Sequence, residues 1–67
     1  MSARNVGLRI AFQREKRGLT QDELARRSWI HRVTLANIER GAEQPTLDTL
    51  ARIAKALKVP VGDLLKV

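Results

Sequence analysis

The chain has 67 residues, with 13 Lys and Arg against 7 Asp and Glu, a formal net charge of +6 and no cysteine. A chain of this length makes one small domain over residues 1–67. It buries only about 60% of the surface its unfolded form exposes, too little to house a large cofactor pocket or the converging groups of a multi-step enzyme. The absence of cysteine excludes a disulfide framework, a thiolate nucleophile and a zinc–thiolate cluster, and it favours a reducing compartment.

No apolar run approaches the roughly 18 residues of a membrane span, and Met1 to Gly7 has no apolar leader core. The expectation is a soluble cytoplasmic protein, off the membrane and without a metal or cofactor. Its cationic excess favours a polyanionic partner.

The elements in chain order all read as helical. Val6 and Ile10, with the aliphatic stems of Arg14 and Arg17, recur at helical spacing and predict a first helix from about residue 4 to Arg17. Gly18 ends it by supplying a left-handed cap. Thr20-Gln21-Asp22-Glu23 then reads as a capping box, so a second helix starts at Gln21 with Leu24 and Ala25 inward and with Arg26 and Arg27 in its last turn. Ser28-Trp29-Ile30-His31 must hold a turn, because the periodicity restarts out of phase. The third helix runs from about Arg32 to Arg40, with Leu35 and Ile38 inward and Gly41 stopping it.

Gly41 to Pro45 is a loop, followed by Thr46 as an N-cap. Leu47, Leu50, Ala51, Ile53, Ala54 and Leu57 predict an amphipathic fourth helix, the hydrophobic anchor of the fold. Val59-Pro60 ends it, and Val61, Leu64 and Leu65 fit a short fifth helix. No strand pattern competes, and the connections are short. The chain reads as an all-α, compact five-helix domain.

A helix with small Ala25, a tight turn and a second helix locked by Ile30, Leu35 and Ile38 is what two steeply crossed short helices require. Here the sequence resembles the helix-turn-helix family of phage repressors and Cro-like (XRE-type) regulators, which includes the small controller proteins of restriction-modification systems. The resemblance spans nearly the whole chain. It runs through Val6-Gly7 with Ile10 and Arg14, Gly18-Leu19-Thr20-Gln21-Asp22-Glu23-Leu24-Ala25, Ile38-Glu39-Arg40-Gly41, Pro45-Thr46-Leu47, and Ile53-Ala54 with Ala56, Leu57 and Val59.

It implies a lambda-repressor-like fold, with the helix-turn-helix at helices two and three and a recognition helix over residues 32–40 in the major groove of double-stranded DNA. Helical geometry agrees, since Leu35 and Ile38 inward leave Arg32, Val33, Ala36, Asn37 and Arg40 on the opposite face. Arg32 can give paired donors to guanine, Asn37 can bond adenine bidentately, and Val33 and Ala36 can meet a thymine methyl. Gln21 matches the family's phosphate-contacting glutamine, and Arg40 is assigned to phosphate. Arg14 and Glu39 match a pair that the family uses as an internal salt bridge between its first and third helices. For Arg32, Arg40 and Asn37 the alternative is a solvated surface side chain with no DNA contact.

Four departures from the family pattern stand out. Trp29 occupies the turn position usually held by glycine, where positive φ is costly for a bulky residue; a reshaped turn, with Trp29 packing across the second helix as a lid on the core, is the expectation, and stacking on DNA the alternative. His31 stands where Ser or Thr normally caps the recognition helix and is assigned to backbone phosphate, against an exposed histidine with no role. Gln13 replaces an apolar residue, while Leu8 and Phe12 make an exposed apolar pair, either a satellite cluster or a contact with another chain. Glu43 makes the loop after Gly41 acidic where relatives often carry phosphate contacts.

One recognition helix reads too few base pairs for a regulator, so a homodimer on a palindrome is expected. The C-terminal end, Val59, Val61, Leu64, Leu65 and Val67, is the candidate interface, with core closure as the alternative. With one histidine, no cysteine and no isolated carboxylate pair, catalysis is not expected. A membrane-surface role for the basic first helix is opposed by four further capped helices. The serious alternative is an antitoxin or adapter of the same fold, acting mainly through a protein partner.

Overall fold

The computed structural model describes residues 2–65, and among these it contains five α-helices: α1 Ala3–Lys16, α2 Gln21–Ser28, α3 Arg32–Glu39, α4 Leu47–Leu57 and α5 Val61–Leu65. Local chemistry sets their starts. Ser2 caps α1 by accepting from the Asn5 N–H, and Thr46 caps α4 through the Thr49 N–H. At α2 both halves of the capping box form, the Glu23 N–H donating to Thr20 Oγ1 and the Thr20 N–H to Glu23 Oε1 at 2.8 Å.

The first four helices end in one way. A residue in the left-handed region is followed by an apolar or small residue whose N–H reaches back five residues: Leu19 to the Arg14 carbonyl, Ile30 to Ala25, Ala42 to Asn37 and Val59 to Ala54. Gly18 and Gly41 supply that conformation at φ 69 and 78°, as their sequence positions predict. Trp29 and Lys58 adopt it without being glycine, at φ 60 and 59°. The turn between α2 and α3 is therefore not reshaped around Trp29; the hydrogen bonds of the cap and the packing of partly buried Ile30 against the core hold the strained residue in place.

The core comprises Val6, Ile10, Leu24, Leu35, Ile38, Leu50, Ile53, Leu57 and Leu64 with small Ala25 and Ala54. The packing is specific about which helices meet. α1 lies on α3 and α5, α2 on α3 and α4, and α4 on α5. At the α1–α3 crossing Gly7 is buried, and a β-carbon there would lie 2.3 Å from the Ile38 carbonyl oxygen and 2.5 Å from that of Glu39. Only glycine lets the two backbones come this close.

Four expectations about the interior need correction. Arg17 is exposed and turns back to Gln13 on its own helix, so the inward face of α1 ends at Arg14. Leu47 is 79% exposed and Ala51 is also exposed. Leu47 shares a flank of α4 with buried Ala54, but at the first turn that flank is in solvent. Trp29 is not a lid on the core: its side chain is in solvent, 83% exposed. Leu64 is fully buried and closes the core from below, while Val59, Val61 and Leu65 pack half-buried around it. Val67 lies outside the described residues.

Candidate nucleic-acid interface

The outward face of α3 forms from the pattern that builds the core. Leu35 and Ile38 are fully buried, which rotates Arg32 and Val33 into solvent and leaves Ala36 and Asn37 half-covered. Val33, at 64% exposure, presents an apolar surface between two polar reaches. Arg40 follows the helix as its C-cap and donates from Nη2 to Asn37 Oδ1 at 3.0 Å. That bond takes one lone pair of the Asn37 oxygen. Its second lone pair and its amide donors remain, as bidentate pairing with adenine requires. Arg32, Val33, Ala36 and Asn37, the residues expected to read bases, thus come together with Arg40 on one face. His31 is the N-cap of α3 and is exposed, but its side chain makes no cap hydrogen bond. Its imidazole is left available to a group outside the protein.

Beneath this face lies a polar network joining three helices. Glu39 is buried on the inner side of α3, and its carboxylate accepts from Arg14 Nε at 2.8 Å and Arg14 Nη2 at 3.0 Å. Arg14 also donates from Nη1 to the Leu19 carbonyl at 2.8 Å, which ties the network to the strand of chain entering α2. The Glu39 hydrogen bond holds the guanidinium pKa above its ordinary value, against the opposing effect of burial. The expected salt bridge between first and third helices is present.

Sequence reasoning did not anticipate its third member. Gln21 Nε2 donates to Glu39 Oε1 at 2.9 Å, so the side chain matched to phosphate contact is clamped at the N-terminus of α2 by the carboxylate that neutralises Arg14. One amide N–H of Gln21 stays free beside the unpaired backbone N–H groups of the first turn, an arrangement suited to an anionic oxygen. The only signal in the sequence was Gln21 and Glu39 falling in motifs of the same family.

Among the described residues no group of His, Cys, Asp and Glu could hold a metal, and no helix is long and apolar enough to cross a membrane. The loop after Gly41 carries exposed Glu43 and is closed by its N–H and that of Ala42, both donating to the Asn37 carbonyl.

Two crossed helices, a left-handed turn between them, and a second helix with polar and apolar side chains facing solvent define the helix-turn-helix DNA-binding class. The helix-turn-helix family model matches residues 10–64. An uncharacterized HTH-type transcriptional regulator of Sinorhizobium fredii is 43% identical over 54 residues, which cover 81% of this chain and 70% of that protein. The immunity repressor of Bacillus phage phi105 is 44% identical over 57 residues, 85% of this chain but 40% of the repressor's length. Among solved structures, the restriction-modification controller protein C.AhdI from Aeromonas hydrophila superposes with a TM-score of 0.91 at 29% identity, over 92% of this chain and 94% of that one. The chain belongs to the helix-turn-helix family of transcriptional regulators, which are not enzymes.

Proposed function

We propose that this protein is a homodimeric, sequence-specific regulator that binds double-stranded DNA in the cytoplasm, on the nucleoid, with α3 in the major groove of a palindromic operator. The observation that carries the reading is the solvent-facing side of α3, where Arg32, Val33, Ala36 and Asn37 project together over a core that fixes their helix. Arg32 reads guanine, Asn37 reads adenine, and Val33 and Ala36 discriminate by contact with a thymine methyl. Gln21, His31 and Arg40 take phosphates and set the register. Gln21 is suited to this because Glu39 holds it before DNA arrives, so little side-chain freedom is lost on binding.

The second copy is assigned to the C-terminal end, where Val59, Val61 and Leu65 remain half-exposed around buried Leu64. A dimer contacting about three to five phosphates in each half gives a log K that falls with log salt at a slope of roughly −5 to −9.

Selection of bound duplexes from a random pool tests the reading at once. A two-fold symmetric site is expected, Arg32→Ala relaxing it at one base pair by about 1–3 kcal/mol and Arg40→Ala weakening all sequences alike. Equal loss on selected and random duplexes for Arg32→Ala would remove its base-reading role. Sedimentation of Leu65→Glu tests the dimer: an unchanged mass with intact helicity rules that interface out.

A further inference from the structure

Trp29 is a large apolar side chain held in solvent by a backbone geometry that disfavours any residue but glycine. Neither the core nor the reading face uses it. Two open depressions flank the indole. One, of about 430 Å³, is lined by Arg26, Ile30 and His31; the other, of about 300 Å³, by Arg27, Arg52, Lys55 and Ala56. Arg52 fixes the site from α4, its Nη1 donating to the Trp29 carbonyl at 3.2 Å. The acidic residues nearby are already engaged, Asp22 with Arg26 and Asp48 with Arg52, each at 3.3 Å. Arg27 and Lys55 therefore give the rim a net positive charge, to which His31 adds a polar ring.

The patch meets the proposed DNA-binding residues only at its edge, through His31, and the rest of it lies apart. It sits at the C-terminal end of α2, about 12 Å along the helix from Gln21 at its start. Its α4 side chains come from a helix that packs on α2 and α5, whereas α3 packs on α1 and α2.

We propose that Trp29 and its cationic rim form a docking surface for an acidic segment of a partner protein, one carrying an aromatic or large aliphatic side chain to cover the indole. Duplex DNA matches the charge of the rim but not the ring: its base faces are stacked inside, and it offers phosphates and sugar edges. An acidic, partly apolar peptide matches both, in the pairing of Trp with Arg that concentrates binding energy at protein interfaces. The segment binds while α3 is engaged elsewhere, so the proposal does not depend on α3 reading DNA.

The test uses the full chain as bait for a library of random 12-residue peptides displayed on phage, followed by calorimetric titration of the enriched peptides into wild type and each variant and, for wild type, by the emission of Trp29, the only tryptophan present. Enriched peptides are expected to carry Asp or Glu around an aromatic or leucine and to shift the Trp29 emission to the blue. Trp29→Gly, which suits the backbone at that position, lowers their affinity at least tenfold, as does the pair Arg27→Glu with Lys55→Glu. Phe12→Ser on α1 leaves affinity unchanged, and a selected duplex does not displace the peptide. The proposal is overturned if no peptide is enriched over bare support, if those enriched lack acidic residues, or if Trp29→Gly retains them. It is overturned equally if a duplex alone protects Trp29 from acrylamide quenching and displaces the peptides, because the patch then belongs to the DNA contact.

Discussion

Glu39→Ala probes whether the network beneath the reading face holds the fold as well as the site. The Arg14 and Glu39 side chains are only 12% and 6% exposed, and the carboxylate accepts three hydrogen bonds. Removing it leaves a guanidinium largely away from water with the Leu19 carbonyl as its one remaining hydrogen-bond acceptor and only the exposed Glu15 carboxylate, 3.7 Å away, to offset its charge. Stripping one partner from such a pair costs about 3–5 kcal/mol. A domain of this size has a total stability near the low end of roughly 5–15 kcal/mol, so Glu39→Ala loses most of it.

At about 4–8 °C per kcal/mol for a small domain, Tm falls by at least roughly 12 °C. The mechanism is separated from simple loss of packing by a double-mutant cycle with Arg14→Met. The double variant buries no charge and recovers much of the loss, with a coupling energy of about 2 kcal/mol or more. Urea unfolding followed by far-UV circular dichroism at one fixed protein concentration measures each corner. A loss under about 1 kcal/mol for Glu39→Ala, or a double variant as unstable as the two singles summed, would refute the claim that the pair is a buried, interdependent unit.

Three further outcomes follow from the geometry. Gly7→Ala, which raises helix propensity and by that measure stabilises by about 1 kcal/mol, instead forces α1 off the α3 carbonyls and costs about 3 kcal/mol or prevents folding; Gly62→Ala, with open space around its β-carbon, is the control, and thermal melts compare the two. Trp29→Gly removes the left-handed penalty and raises stability by about 1 kcal/mol, while Trp29→Ala keeps its β-carbon and stays near wild type; equal gains in the two melts would mean that the side chain, not the backbone, carries the strain. Glu23 has its pKa lowered by the backbone and hydroxyl hydrogen bonds of Thr20. Because its folded pKa lies below its unfolded one, its contribution is present above the ordinary carboxylate range and is lost as pH falls through the folded value. Glu23→Gln therefore flattens the acid limb of the stability profile, and an unchanged limb counts against the capping box.

The parts of this fold that were legible in the sequence are those fixed by neighbours within a few residues. The Thr20 capping box, the Thr46 cap, the stops at Gly18 and Gly41 and the buried faces of α2 and α3 depend on local spacing, and each forms as read. What was not legible depends on which element lies across from which. Leu47 fits the period of α4 yet faces solvent, because periodicity gives direction around a helix and not how far its cover extends along it. Trp29 was expected to avoid a left-handed backbone on propensity grounds, but the cap is set by Ile30 and the Ala25 carbonyl, and tertiary packing overrides a cost of about 1 kcal/mol. The clamp on Gln21 could not be read from spacing, since its partner stands eighteen positions away on another helix.

The acidic residues explain how a net charge of +6 reaches the surface. Glu39 is buried with Arg14, Glu15 lies 3.7 Å from the same guanidinium, Glu23 closes the cap of α2, and Asp22 and Asp48 each hold an arginine one turn on. Each of these carboxylates is matched by a partner within the chain, three of them at helix starts where their charge also suits the dipole. Arg32, Arg40, Arg27 and Lys55 are exposed, and they lie on two different flanks of α2. The basic excess therefore accounts for attraction to a polyanion, which salt screens, but it does not choose a sequence or a partner. On the functions proposed above, that choice falls to the side chains set among the cations, Val33 and Asn37 on one flank and Trp29 on the other. Substituting these should change what is bound while leaving the salt slope nearly intact, whereas charge removal should change the slope first.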